Sequence, residues 1–213
     1  AANNAANSTA SDTASDESVT VSAMTFNIRW DNPNDGVDVW ELRKDWVSDV
    51  IVQSGAEIIG LQEAMLHQIA HLDSSSTDFD WIGLSYYPIW SDYNLNNLAT
   101  PLSTLINTYK KRLMIVETAY PFTLENADSA NNILGSDALI DGYPATQQGQ
   151  LNYLNRLKTI IESVGGEGLI YWEPAWVANS CSTRWGKGSH WDNATLFDHQ
   201  LQPTLGMSIF KSE

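Results

Sequence analysis

The chain has 213 residues, 43% of them hydrophobic, with 26 acidic against 11 basic side chains and a net charge of −15. That charge repels a polyanion, and no Lys/Arg cluster exceeds Tyr-Lys-Lys-Arg at 109–112, so nucleic acid is not an expected partner. No apolar run approaches the roughly 18 residues that a membrane-spanning helix needs, and the one cysteine, Cys181, leaves no internal disulfide.

Residues 1–18 hold no large apolar side chain. Such a segment cannot bury a core and reads as a disordered spacer. It lacks the basic and apolar regions of a signal peptide and suits the stretch behind a removed one, which points to a secreted or periplasmic protein. Residues 19–30 (VTVSAMTFNIRW) read as a strand, and 31–38 as a Pro/Gly/Asn loop. Over 40–53 the apolar positions Trp40, Leu42, Trp46, Val47, Val50 and Ile51 have helical spacing, ended by Gly55. Residues 56–61 read as a buried strand running into Gln62 and Glu63, and 64–72 as a helix.

Residues 78–90 (DFDWIGLSYYPIW) form the next expected strand, with an aromatic end. Leu95, Leu98, Leu102, Leu105 and Ile106 mark a helix. Pro101 is tolerated only in a first turn, which puts its start near Ala99 or Thr100. At 113–121 comes LMIVETAYP, an apolar run ended by a turn signal. It reads as a strand buried on both faces, as in a parallel sheet, with Glu117 at its end. The carboxyl ends of parallel strands carry the chemistry of such folds, which makes Glu117 the leading catalytic candidate. A long polar loop (122–142), a helix (147–164), a glycine break, a last buried strand (169–177, LIYWEPAWV) and a second long loop (178–193) complete the chain. Strands alternating with helices at this spacing argue for parallel βα units and an α/β fold.

FNIRWDNPNDG, WELRKD and IIGLQEAMLHQI, within residues 19–83, resemble the opening of the endonuclease/exonuclease/phosphatase family of metal-dependent phosphoesterases. The resemblance implies a βαβα fragment of an α/β sandwich, an active-site Asn27, and a Glu63 that holds Mg²⁺. That family's later Gly-Asp-x-Asn and Ser-Asp-His motifs are absent from the sequence.

IGLSYYPIW, VETAYP, GYPATQQGQ, YWEPAWV and HWDNATLFD, within about 78–210, resemble glycoside hydrolase family 53, the arabinogalactan endo-β-1,4-galactanases. The resemblance implies strands six to eight of a (β/α)8 barrel, an incomplete half, and retaining hydrolysis of β-1,4-galactan or arabinogalactan. No cofactor is required. Glu117, in the VET motif, takes the place of the nucleophile. Tyr86 and Tyr87 end the preceding strand, where a hydroxyl can hydrogen-bond Glu117, and with Trp90, Trp172 and Glu173 they are the candidate substrate contacts. Family members can hold a structural Ca²⁺ between the two long loops, for which Asp128, Asn132, Ser189 and Asp192 offer hard oxygens. The acid/base lies in a Gly-Asn-Glu motif, and this sequence contains no Asn-Glu dipeptide.

The expected organisation is therefore a spacer (1–18), a phosphoesterase-like fragment (19–77) and a galactanase-like half barrel (78–213), an apparent fusion of two incomplete domains. A metal-dependent phosphoesterase is the alternative activity, and a non-catalytic carbohydrate-binding remnant the third reading.

Overall fold

The computed structural model describes residues 20–75, 80–184 and 186–211, and the expected spacer lies outside them. The chain divides into two compact units, Ala1–Thr77 and Asp78–Glu213.

The first unit runs β1 (Ala23–Asn27), α1 (Trp40–Ser54), β2 (Ile58–Gln62) and α2 (Leu66–Ser74). β1 and β2 pair in parallel without interruption, Ala23 opposite Ile58 through Asn27 opposite Gln62. Gly55 closes α1 at φ 60°. That left-handed conformation is one that glycine adopts without cost. The core is small: Ile28, Trp40, Val47, Ile51 and Leu72 are its buried apolar residues. The strand expected to be buried at 56–61 is not. Its residues alternate, with Ile58 60% exposed, because only one face of this two-stranded sheet is covered. Leu42, Trp46 and Val52 of α1 are also exposed, although Trp46 packs its ring edge-on against Phe26.

The second unit holds β3 (Trp81–Ser85), α3 (Ala99–Tyr109), β4 (Arg112–Thr118), α4 (Gln147–Ser163) and β5 (Leu169–Tyr171), then a short hairpin of β6 (Ser182–Thr183) and β7 (Gly186–Lys187). The sheet order is β3-β4-β5, all parallel. α3 begins at Ala99 and takes Pro101 in its first turn, as the sequence predicts. Leu102 and Leu105 of α3 bury with Tyr153, Leu154, Leu157, Ile160 and Ile161 of α4 against Ile82, Leu113, Ile115 and Tyr171 of the sheet. One face of the sheet is thus packed.

The other face is not. Trp81, Val116, Ile170 and Trp172 are 36–52% exposed, so neither β4 nor β5 is buried on both sides as the apolar runs suggest. Two strands are also shorter than their apolar stretches. Residues 88–90 leave β3 for a 3-10 turn, and β5 stops at Tyr171 before Pro174.

A buried polar network fixes the chain after β4. The Gln150 side-chain amide donates to the Tyr120 carbonyl at 2.9 Å and the Thr195 carbonyl at 3.1 Å, and its oxygen accepts from Thr204 at 2.8 Å. The Tyr171 hydroxyl accepts from Tyr120 N–H at 3.1 Å and donates to the Ala194 carbonyl at 2.5 Å. These bonds satisfy groups whose desolvation would otherwise oppose folding.

Candidate active site at the end of the central strand

Glu117 lies one residue before the end of β4, the central strand of its sheet. Two hydroxyls from the end of β3 and the residues just after it meet its carboxylate. The Tyr87 hydroxyl donates to Oε1 at 2.8 Å and the Ser85 hydroxyl to Oε2 at 3.1 Å. Tyr87 is only 6% exposed, wedged between Trp90 (ring centroids 4.9 Å) and Trp191 (5.9 Å). Burial, then the hydrogen bond to Glu117, push the Tyr87 phenol far above its ordinary ionisation range. It therefore remains a donor throughout the physiological range.

The other sequence candidates separate. Tyr86 is 4% exposed, a core residue whose hydroxyl donates to the Tyr93 carbonyl at 3.1 Å and whose phenol burial pushes up to about 12. It offers no ring face to a ligand. Trp90 and Trp172 are 58% and 39% exposed, and Glu173 follows β5 at φ 46°. Residues that pattern reading passed over are Ser85, Trp191 and Gln150. Ser85 had a legible signal, since it stands at a parallel strand end as Glu117 does. Trp191 lies in the HWDNATLFD motif, but nothing in that stretch says that it reaches Tyr87 from a loop distant in sequence.

The described residues of the two long loops are tied together. Asp128 accepts N–H groups from Ala130 (2.8 Å), Asn179 (3.0 Å) and Ser189 (2.7 Å). Burial raises its pKa, but these three bonds outweigh burial and hold it below the usual carboxylate range. Gly188 leaves room for that carboxylate: at φ 96° a Cβ there would stand 2.5 Å from Asp128 Oδ1. The Ser189 hydroxyl donates to the Trp176 carbonyl and accepts from Trp191 N–H, which spends it. Asp128 and Ser189 thus serve as a protein-only staple and do not fit as cation ligands. Asp192 accepts from Ala127 N–H at 2.9 Å and from the Asn132 amide at 2.7 Å, and that amide also donates to Asn126 Oδ1. Asn132 Oδ1 is buried with no donor. Turning the Asn132 amide by half a rotation would bring three oxygens together, an arrangement a hard cation reconciles. Calcium chemistry fits Asn132 and Asp192 of the expected four, joined by Asn126, which pattern reading missed.

In the first unit, Glu63 follows β2 at φ 58°. Its Oε1 accepts from the Asn27 side chain at 2.7 Å and its Oε2 from Trp30 N–H at 3.2 Å, while Asn27 Oδ1 accepts from Arg29 N–H at 2.8 Å. The structure thus brings the two sequence candidates Asn27 and Glu63 into contact. Among the described residues, no group of three or more His, Cys, Asp or Glu side chains gathers into a metal site. Each Glu63 oxygen accepts one hydrogen bond, so this pair offers a hard cation one carboxylate and one side-chain amide.

The profile of glycosyl hydrolase family 53 matches residues 50–210. The chain belongs to that family. The match reaches back through α2 and β2 into α1, past the division between the two units. Similar proteins include an arabinogalactan endo-beta-1,4-galactanase of Cellvibrio japonicus, 57% identical over 121 residues, which are 57% of this chain and 32% of that one. An arabinogalactan endo-beta-1,4-galactanase A of Emericella nidulans is 39% identical over 124 residues, 58% of this chain and 33% of that one. Among solved structures, the Ignisphaera aggregans GH53 catalytic domain superposes with a TM-score of 0.64 at 26% identity, over 82% of this chain and 51% of that one. A fungal β-1,4-galactanase gives 0.55 at 26% identity, over 84% and 55%. The chain spans about a third of the length of these curated galactanases and about half of the solved ones. Its fold is α/β, as in these neighbours. No helix among the described residues is long and apolar enough to cross a membrane.

Proposed function

We propose that Glu117 is the nucleophile of a retaining glycosidase site for β-1,4-galactan or arabinogalactan. The observation that carries this reading is the carboxylate at the end of a central parallel strand, held by one hydroxyl on each oxygen. In such a reaction one carboxylate oxygen attacks the anomeric carbon, the glycosidic C–O bond breaks with its electron pair leaving on the departing oxygen, and a covalent glycosyl ester forms. The exposed faces of Trp90 and Trp172 suit stacking on sugar rings. Glu173, next to Trp172, adds a polar contact.

The second unit is best understood as the last three βα units of a (β/α)8 barrel. Three strands do not close a barrel, and the sequence holds no Asn-Glu pair to supply an acid/base. Nucleophilic attack by Glu117 is the step that identifies it. An activated substrate whose leaving group needs no protonation tests this. Incubation with 2,4-dinitrophenyl 2-deoxy-2-fluoro-β-galactoside should add one fluorogalactosyl group to the peptide holding Glu117, detected by mass spectrometry. The absence of any adduct on that peptide overturns the reading. Retarded migration in a galactan-containing native gel, with no adduct, favours a carbohydrate-binding remnant instead.

A structural Ca²⁺ at Asn126, Asn132 and Asp192 is part of this reading, supported by the donorless Asn132 oxygen. Its removal by EDTA should lower the melting temperature, and an unchanged melting temperature argues against it. A polymer substrate that cannot enter a cell, together with the small polar residues at 1–18, supports secretion or a periplasmic location.

A second reading applies to the first unit, as a fragment of the phosphoesterase sandwich joined to a galactanase half. The Asn27–Glu63 contact at paired strand ends favours it. Mg²⁺-dependent hydrolysis of a generic phosphodiester, lost in Glu63→Gln, would support it.

A further inference from the structure

Resting on the assignment of Glu117 as nucleophile, we infer that Ser85 is a positioning residue for it, and that a one-residue bulge at Val116 brings the two side chains face to face. β3 and β4 pair with constant register from Trp81 opposite Arg112 to Leu84 opposite Ile115. The next pair is Ser85 opposite Glu117, so Val116 has no partner on β3. The other neighbour reports the same extra residue, because Ile115 lies opposite Leu169 but Thr118 opposite Tyr171. Val116 is a bulge in the central strand against both flanking strands.

The bulge reverses which side chains face the helices. Before it, Leu113 and Ile115 are fully buried against α3 and α4. After it, Thr118 takes that side, with its hydroxyl 2.9 Å from the Tyr153 hydroxyl of α4. Strict alternation would have turned Glu117 toward the helices with Leu113 and Ile115. The extra residue turns it instead to the open face of the sheet, beside Ser85, as bulges near functional sites do. Space for the bulge comes from Gly83, where a Cβ would stand 3.0 Å from a Val116 methyl.

The two hydroxyls then divide the carboxylate. Tyr87 is buried and holds Oε1 from the protein side. Ser85 is exposed and holds Oε2 from the open face, where a sugar has access. Ser85 thus orients the oxygen nearer the substrate, aiming it until attack draws it to carbon. Loss of that orientation is expected to slow attack by about tenfold.

The test uses the full chain, the same fluorogalactoside, and the side-chain carboxylate ¹³C resonance of Glu117, assigned by its loss in Glu117→Gln. Ser85→Ala should lower the maximal labelling rate about tenfold, leave the half-saturating concentration within about twofold, and move the Glu117 resonance. Ser85→Thr, which keeps the hydroxyl, should restore both. A Ser85→Ala protein with wild-type labelling rate and an unmoved resonance overturns the inference, as does a Ser85→Thr protein no better than Ser85→Ala. If the wild-type chain takes no label, the nucleophile assignment fails, while a resonance that moves in Ser85→Ala and returns in Ser85→Thr still establishes Ser85 as the group that positions Glu117.

Discussion

Two glutamates end parallel strands in this protein, one in each unit, and their surroundings differ in kind. Glu63 follows an unbroken ladder, enters the left-handed region, and ties down nearby chain through Asn27 and Trp30. Glu117 sits inside a bulged ladder, is turned to the open face, and is met by two hydroxyls. The first carboxylate is spent on local structure. The second is oriented by two hydroxyl donors, one buried and one on the open face. A strand-end carboxylate becomes a reactive candidate through what holds it, and position alone does not distinguish the two.

Removing each carboxylate is the sharpest way to separate them. Glu117→Gln should abolish fluorogalactosyl labelling with little change in melting temperature, and any adduct that persists on that peptide breaks the comparison. Alkali should separate the units next. Tyr86, Tyr87, Tyr120, Tyr153 and Tyr171 all have phenols raised chiefly by burial, Tyr86 to about 12, and all lie in the second unit. The folded state binds these protons more tightly than the unfolded chain does. Their stabilisation is therefore complete below the unfolded value of about 10 and is lost as pH rises above it. Hydrogen exchange followed by mass spectrometry should show the second unit opening above pH about 10. The first unit contains no tyrosine to drive the same change.

Core truncation should cost less than alkali. Leu157→Ala, at a fully buried position of the larger core, should destabilise the second unit by about 2–5 kcal/mol. Chemical denaturation monitored peptide by peptide would show whether the first unit is spared. The smallest effect belongs to Glu63→Gln. It weakens two bonds of an exposed tie by about 1 kcal/mol in all and should leave labelling of Glu117 untouched. Loss of labelling in Glu63→Gln would mean that the two carboxylates are not independent.

Much of this organisation was legible in the residues. Helical spacing located α1, α3 and α4, Pro101 marked the start of α3, and the strand-end rule singled out both glutamates. Family motifs were readable because they are contiguous. Burial was less legible: LMIV and LIYW look like doubly buried strands, yet each leaves its alternate residues half-buried or exposed. An apolar run records what a strand can bury, and packing against another element decides whether it does. Tyr86 and Tyr87 show the same limit. Adjacent and identical in type, they point to opposite sides of the chain, one into the core and one onto Glu117.

The sequence by itself determined the alternation of strands and helices, the family and the candidate carboxylate, because these depend on local order and spacing. Only the tertiary structure decided which way that carboxylate faces. A single unpaired residue, Val116, reverses the alternation of β4, and a bulge is defined by the register of neighbouring strands, which no single strand's residues contain.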